Sequence, residues 1–470
     1  MSIDMLPDDV LLEVFDFYVD QTWRGDGDEY HSLYDSEHGW QPLVHVCRRW
    51  RSVVFGSPHR LNLRLVCTAN TRARDTVDIW PALPLLIRVY DPIGRVDNIV
   101  DFLKHSDLVR RISQISLQYF ASLPLQVILE AMQVPFPALT DLLLRQYGQT
   151  EPVLPLSGSF LGGSAPRLRS LQLHRTPYPG LPKLLLSATH LTRLHLDGIP
   201  DSGYIPPEVM AACLFTLTSL EQLFLEFRFP RPLPDQQSQR LPPSIRTSLP
   251  GLNDFRFKGG VEYLEVLVAR INAPRLKGLH IIFFNDVVFT TPQFTRFIGH
   301  TPTLGAFNEA TVFLWYTTAS ITLSSAHARL NVSIYCRELD WQLSFLEQVC
   351  TSSLLPLLTL QDLYMMSESP WPQDWKDIID YAQWLELLHS FSAVKNLYLS
   401  KELTPCVVPA LQDLVGGRIT EAFPTLENIF LEELQESGPV QEGIGKFVAA
   451  RQVTSHPITL SRWDRSGTRF

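Results

Sequence analysis

The residues with chemistry to offer in this 470-residue chain are thirteen histidines, six cysteines and two glycine clusters, and their spacing limits what each can do. Cys47, Cys67, Cys213, Cys336, Cys350 and Cys406 contain no Cys-x-x-Cys pair and no disulfide-framework spacing, so they read as reduced, mostly buried thiols. The histidines are scattered and show no metal spacing with Cys or His partners. There is no Gly-x-Ser-x-Gly elbow, no His-Glu-x-x-His and no prominent carboxylate pair. Gly158-Ser159-Phe160-Leu161-Gly162-Gly163 and Gly443-Ile444-Gly445-Lys446 lack the full phosphate-loop pattern and read as turns. The expectation is a protein that is not an enzyme and uses no metal or cofactor, with a site assembled from distant residues as the rival.

What remains to carry function is surface, so charge and length matter next. With 45% hydrophobic and 19% charged residues the chain can bury a large core. Its net charge of −9 is uneven: residues 1–50 hold eleven acidic residues against three arginines, which leaves the other 420 residues at −1. A near-neutral body with no basic stripe argues against nucleic acid or an anionic membrane as partner. The start, Met1-Ser2-Ile3-Asp4, lacks the basic and apolar regions of a signal peptide, and no stretch reaches the roughly 18 apolar residues of a membrane span. A cytoplasmic or nuclear location is expected.

The elements that could present a surface begin at the N-terminus. In Leu6-Pro7-Asp8-Asp9-Val10-Leu11-Leu12-Glu13-Val14-Phe15, Pro7 sits where a helix starts, and the two aspartates favour the positive end of its dipole. Val10, Leu11, Val14, Phe15 and Tyr18 then recur at helical spacing as one apolar stripe. A second helix is expected from Leu43, Val46, Cys47, Trp50 and Val54, ending at Ser57-Pro58. Two such helices make a poor core alone and need a partner surface.

With Val46-Cys47-Arg48-Arg49-Trp50-Arg51 as its second half, residues 1–60 resemble the F-box, the module that docks recognition subunits onto the Skp-type adaptor of cullin-based ubiquitin ligases. The resemblance implies that Leu6, Pro7, Val10, Leu11, Val14 and Phe15, with Val46, Cys47 and Trp50, build or line the adaptor-binding surface. An acidic insertion at 20–40 separates the halves. The competing reading is a helical cap on the following domain.

Beyond residue 60, Arg60–Val66 and Trp80–Tyr90 read as strands, and a weak repeat of the form apolar-x-x-apolar-x-apolar comes after them. Its copies start at Ile112, Leu139, Leu168, Leu191, Leu220, Leu252, Leu276, Leu360, Val394 and Leu426. Two weaker copies, Thr303–Phe307 and Arg329–Tyr335, fit inside the gap of 84 residues, and helical patterns lie between many copies. One strand, loop and helix per 20 to 30 residues resembles a leucine-rich repeat, which implies an α/β solenoid over 61–470: a curved parallel sheet with outer helices. The position where such repeats carry Asn or Cys holds Thr176, Ile199, Arg228, Gly260 and Phe284 instead. An ordinary α/β or α+β domain is the rival fold. Residues 229–243 are rich in proline and read as a loop that leaves the repeat.

In such a sheet the central residue of each copy faces away from the buried leucines and lines the inner, concave face, where these residues form a column. It holds Ser116, Leu143, Gln172, His195, Phe224, Arg256, His280, Tyr364, Tyr398 and Phe430. Aromatic residues and arginine are enriched where proteins bind proteins, so Gln172, His195, Phe224, Arg256, His280, Tyr364, Tyr398 and Phe430 are the candidate contacts for an unknown target protein. The expected role is a target-recognition adaptor of a cullin-type ligase; the alternative is a protein-binding repeat scaffold without ubiquitin transfer.

Overall fold

Apolar residues two apart in an extended segment project to one face, and all ten repeat copies place their last two apolar residues on β-strands in this way. The computed structural model describes residues 6–23, 40–73, 80–90, 96–120, 122–146, 155–229, 246–284, 291–352, 355–367, 381–415, 421–433, 438–454 and 456–464. The protein is a mixed α/β fold with 16 strands of large, mostly parallel sheet and no closed barrel. It divides into two compact units, Met1–Arg193 and Leu194–Phe470.

The first unit opens with helices α1 (Asp8–Trp23), α2 (Gln41–Val46) and α3 (Arg48–Gly56). Five strands come next, β1 (Leu65–Cys67), β2 (Leu85–Tyr90), β3 (Ile112–Phe120), β4 (Asp141–Gln146) and β5 (Ser170–His174). Each pairs in parallel with the next. Arg60–Val66 is not the strand its alternation predicts. The chain turns over Pro58–Asn62, with Asn62 left-handed at φ 48°, and only Leu65 onward is extended. Asn tolerates that conformation, and Leu61, Leu63 and Leu65 are buried all the same.

The second unit runs through β6 (Arg193–Ile199), β7 (Gln222–Phe227), β8 (Thr247–Ser248), β9 (Asp254–Gly259), β10 (Ile271–Asn272) and β11 (Gly278–Phe283). It continues with β12 (Glu309–Trp315), β13 (Thr318–Ser324), β14 (Arg329–Tyr335), β15 (Asp362–Ser367), β16 (Asn396–Leu399), β17 (Asn428–Leu431) and β18 (Thr459–Arg462). The sheet order is β6-β7-β9-β11-β14-β13-β12-β15-β16-β17-β18, while β8 and β10 form a separate pair. Phe255, Leu279, Leu330, Leu323, Ala310, Leu363, Leu397 and Ile429 share one register line across this sheet, and all are buried. Burying a leucine or phenylalanine contributes about 1.5–3 kcal/mol, so the line is a continuous source of stability.

The long gap between copies is where the expectation fails. Thr303–Phe307 is no strand: Pro302–Leu304 is a 3-10 turn, and the strand begins at Glu309. Arg329–Tyr335 is a strand, as expected, but it closes an antiparallel meander, β12-β13-β14, inserted in reverse order. β14 pairs in parallel with β11, and β12 pairs in parallel with β15. The outer strands of a meander run the same way, so both can join parallel neighbours.

Candidate protein-binding surfaces

The helical module is held together by residues that the apolar stripe mixes with exposed ones. Leu11, Phe15 and Val19, four apart on α1, are buried, and the Phe15 ring lies 4.7 Å from that of Trp50. Val10, Val14, Phe17 and Tyr18 flank that row on α1 and are 40%, 46%, 67% and 43% exposed. The single stripe drawn from sequence is therefore two faces, one internal and one open. The expected second helix is also two. Cys47 is fully extended (φ −155°, ψ 171°), breaks the run after Val46, and its Sγ accepts the Trp50 N–H at 3.4 Å to cap α3. The break leaves Val46 59% exposed and buries Val44 instead.

Leu6, Cys47 and Trp50 are half-buried and Pro7 is exposed. Arg49 ties the start of α1 to α3, donating to the Asp8 carboxylate at 2.7 Å and to the Leu6 carbonyl. Trp40, at the end of the acidic insertion, anchors the module to the segments that lead into β1 and β2. It is buried, its Nε1 donates to the Arg64 carbonyl at 2.9 Å, and its ring meets Trp80 edge-on at 5.4 Å. The insertion between residues 24 and 39 and the proline-rich loop beyond Phe229 lie outside the described residues.

On the sheet face opposite the buried line, strand register sets parts of the expected column side by side within each unit. In the first unit Gln172 pairs with Leu143, and Leu143 with Ser116. In the second unit Phe224, Arg256 and His280 are successive partners, and so are Tyr364, Tyr398 and Phe430. The meander separates these two groups, placing Asn331, Thr322 and Thr311 between His280 and Tyr364.

The first group stacks. His195 lies 3.9 Å from Phe224 at 15°, and the Arg256 guanidinium sits 4.4 Å over the Phe224 ring. Burial and the nearby Arg256 and Arg329 charges push the His280 imidazole down to about 4, so it is neutral at neutral pH. The second group stacks as well, Tyr364 on Tyr398 at 4.3 Å and Tyr398 on Phe430 at 4.5 Å. Burial raises both tyrosine hydroxyls, which hydrogen-bond to each other.

Sequence reasoning missed two features of this face. Trp463, just past β18, is buried edge-on against Tyr398 at 5.6 Å and reaches Tyr364 at 5.9 Å. A polar ladder also runs beside the rings: Asn396 donates to Asp362 at 2.7 Å, Asn428 to Asn396 at 2.7 Å, and Thr459 to Asn428. The signal for it was present, since Asp362, Asn396 and Asn428 each stand two residues before the column residue.

Among the described residues no group of three or more His, Cys, Asp or Glu could hold a metal ion, and no helix is long and apolar enough to cross a membrane. Gly443 to Lys446 lies within the helix Pro439–Val453, a conformation unlike a phosphate loop. No protein-family model matches the chain, and a search of curated proteins returned no match.

Proposed function

We propose that this chain is a substrate-recognition adaptor of a cullin-type ubiquitin ligase, whose N-terminal helices dock on the Skp-type subunit while a leucine-rich-repeat-like solenoid holds a target protein. The observation that carries the reading is the open apolar strip of α1: Val10, Val14, Phe17 and Tyr18 stand in solvent beside a row, Leu11 and Phe15, that is already buried. A row of exposed apolar groups at i, i+4, i+7 and i+8 is how a helix presents itself to a groove on a partner. The Leu-Pro-Asp-Asp start and the Cys-Arg-Arg-Trp-Arg half match the F-box pattern in type and order. Supporting the second part are the stacked aromatic and cationic groups of the column face, pre-ordered by strand register.

Such a protein works by proximity. It raises the effective concentration of a target lysine near the charged ubiquitin carrier, and other subunits supply the chemistry. The test is co-elution of the purified full-length chain with Skp-type adaptors on size exclusion, for wild type and for Val14→Asp/Phe17→Asp. Wild type co-elutes and the variant does not, with both equally folded. A folded wild type that binds none of several adaptor paralogues sinks the ligase reading and leaves a repeat scaffold with a helical cap, a role that the Trp40 anchor would serve equally.

A further inference from the structure

The meander does more than interrupt the column. Because β13 runs antiparallel, the turn from Ser324 to Arg329 falls at the end of the sheet where β9 and β11 begin. That turn walls a cavity of about 600 Å³ in the second unit, whose floor is the column face of β9, β11 and β14.

The lining is unusual for a near-neutral body. Arg256, Lys277 and Arg329 bring three cations to it, against one carboxylate, Asp254. Asp254 is committed only loosely, 3.5 Å from Arg256. Lys277 and Arg329 form no ion pair and no side-chain hydrogen bond with any described residue. Register explains how the cations can share a ligand. Asp254, Gly278 and Arg329 are successive partners across the three strands, as are Arg256, His280 and Asn331. Arg256 and Arg329 thus stand two strands and two residues apart, roughly 12 Å at the backbone. The Arg256 guanidinium rests 4.4 Å over Phe224 on the β7 side, and turning off that ring would carry it toward Arg329. Between them Gly278 has no side chain, and a Cβ there would lie 2.9 Å from the Asp254 carboxylate. The glycine keeps the centre of the floor open.

We infer that this cavity binds a doubly charged oxyanion of the phosphate monoester class, gripped by Arg256, Lys277 and Arg329. Guanidinium groups present paired N–H donors that match phosphate oxygens, and an ammonium adds a point charge. The Ser324 and His327 side chains on the overhanging turn lie within reach of a group attached to the phosphate. The neutral His280 ring beside the cations is a built-in reporter, because an anion in the cavity would favour its protonation. The phosphate could be borne by a small metabolite or by a phosphorylated residue of a bound protein. Only the second source rests on the target-binding role proposed above; the anion affinity itself needs no adaptor.

The experiment is titration of the full-length chain, alone and at low salt, with inorganic phosphate, then phosphoserine, glycerol 3-phosphate and a short phosphoserine peptide. Binding is tracked by calorimetry and by the His280 ring signals in NMR. Wild type should saturate with phosphate and shift His280. Arg329→Gln and Lys277→Gln, both at exposed positions, should each weaken binding roughly tenfold or more while melting like wild type. Gly278→Val, which fills the floor, should abolish it. A peptide that binds more tightly than phosphoserine assigns the site to a protein segment, and glycerol 3-phosphate above the peptide assigns it to small esters; both support the site. Absence of saturable phosphate binding in a folded wild type, or binding indifferent to both cation substitutions, overturns it.

Discussion

The rings of Tyr398 and Phe430 lie 4.5 Å apart and within 8° of parallel, because the two residues are register partners on β16 and β17. A parallel sheet places equivalent residues of successive repeats side by side, so one aromatic per repeat becomes a stack rather than a set of separate rings. The same geometry makes a ladder of Asp362, Asn396 and Asn428.

Trp463 is the cover of that stack. Trp463→Ala should lower stability by about 3–5 kcal/mol, since it removes a large buried ring. It should also expose Tyr364 and Tyr398. Urea unfolding measures the first effect and tyrosine quenching by acrylamide the second; an unchanged quenching constant would contradict the packing described.

The two faces of α1 predict opposite results. Leu11→Ala should cost about 2–5 kcal/mol, because Leu11 is fully buried. Val14→Asp should change stability by no more than about 0.5 kcal/mol, as expected for a surface site. Chemical denaturation of the two variants side by side checks this, and equal losses would mean that the face assignment is wrong.

His280 sets part of the acid limit. Its folded value of about 4 lies below the ordinary 6.5, so the folded state prefers the neutral ring. The stabilisation is fully present above pH 6.5 and is lost as pH falls toward 4. Arg256, Lys277, Arg329 and Asp254 are the charged groups lining the cavity with it, and His327 lines the same cavity. His280→Gln should therefore flatten the decline of the melting temperature between pH 6.5 and 4 relative to wild type. A parallel decline would refute the assignment.

The polar ladder makes a test of charge. Asn396→Ala removes one donated and one accepted bond and should cost about 1–3 kcal/mol. Asn396→Asp sets a second carboxylate beside Asp362, so its loss at about pH 7 should be larger and should shrink on acidification. Melting temperatures at about pH 7 and pH 4.5 distinguish the two.

Local information settled much of this. Apolar triplets after short loops marked ten strands, because burial of alternate residues leaves a period of two in the chain itself, and Pro7 with Asp8 and Asp9 marked where α1 begins. The column came from the same alternation. What those signals could not contain was which strand lies beside which. No repeat copy marked β13, which runs antiparallel in a meander inserted in reverse, and that order places Arg329 beside Gly278 and creates the cavity. Nor did a helical stripe reveal that Leu11 and Phe15 turn inward while Val14 and Phe17 stay outside, or that Trp40 and Trp463 are anchors. By itself, the sequence determined the ten strands of the repeat, the start of α1 and the alternation that sets one residue of each copy away from the core, since these depend on neighbours a few positions away. Only the tertiary structure decided strand order, the inner and outer faces of α1 and the cation pocket, because each depends on contacts between residues far apart in the chain.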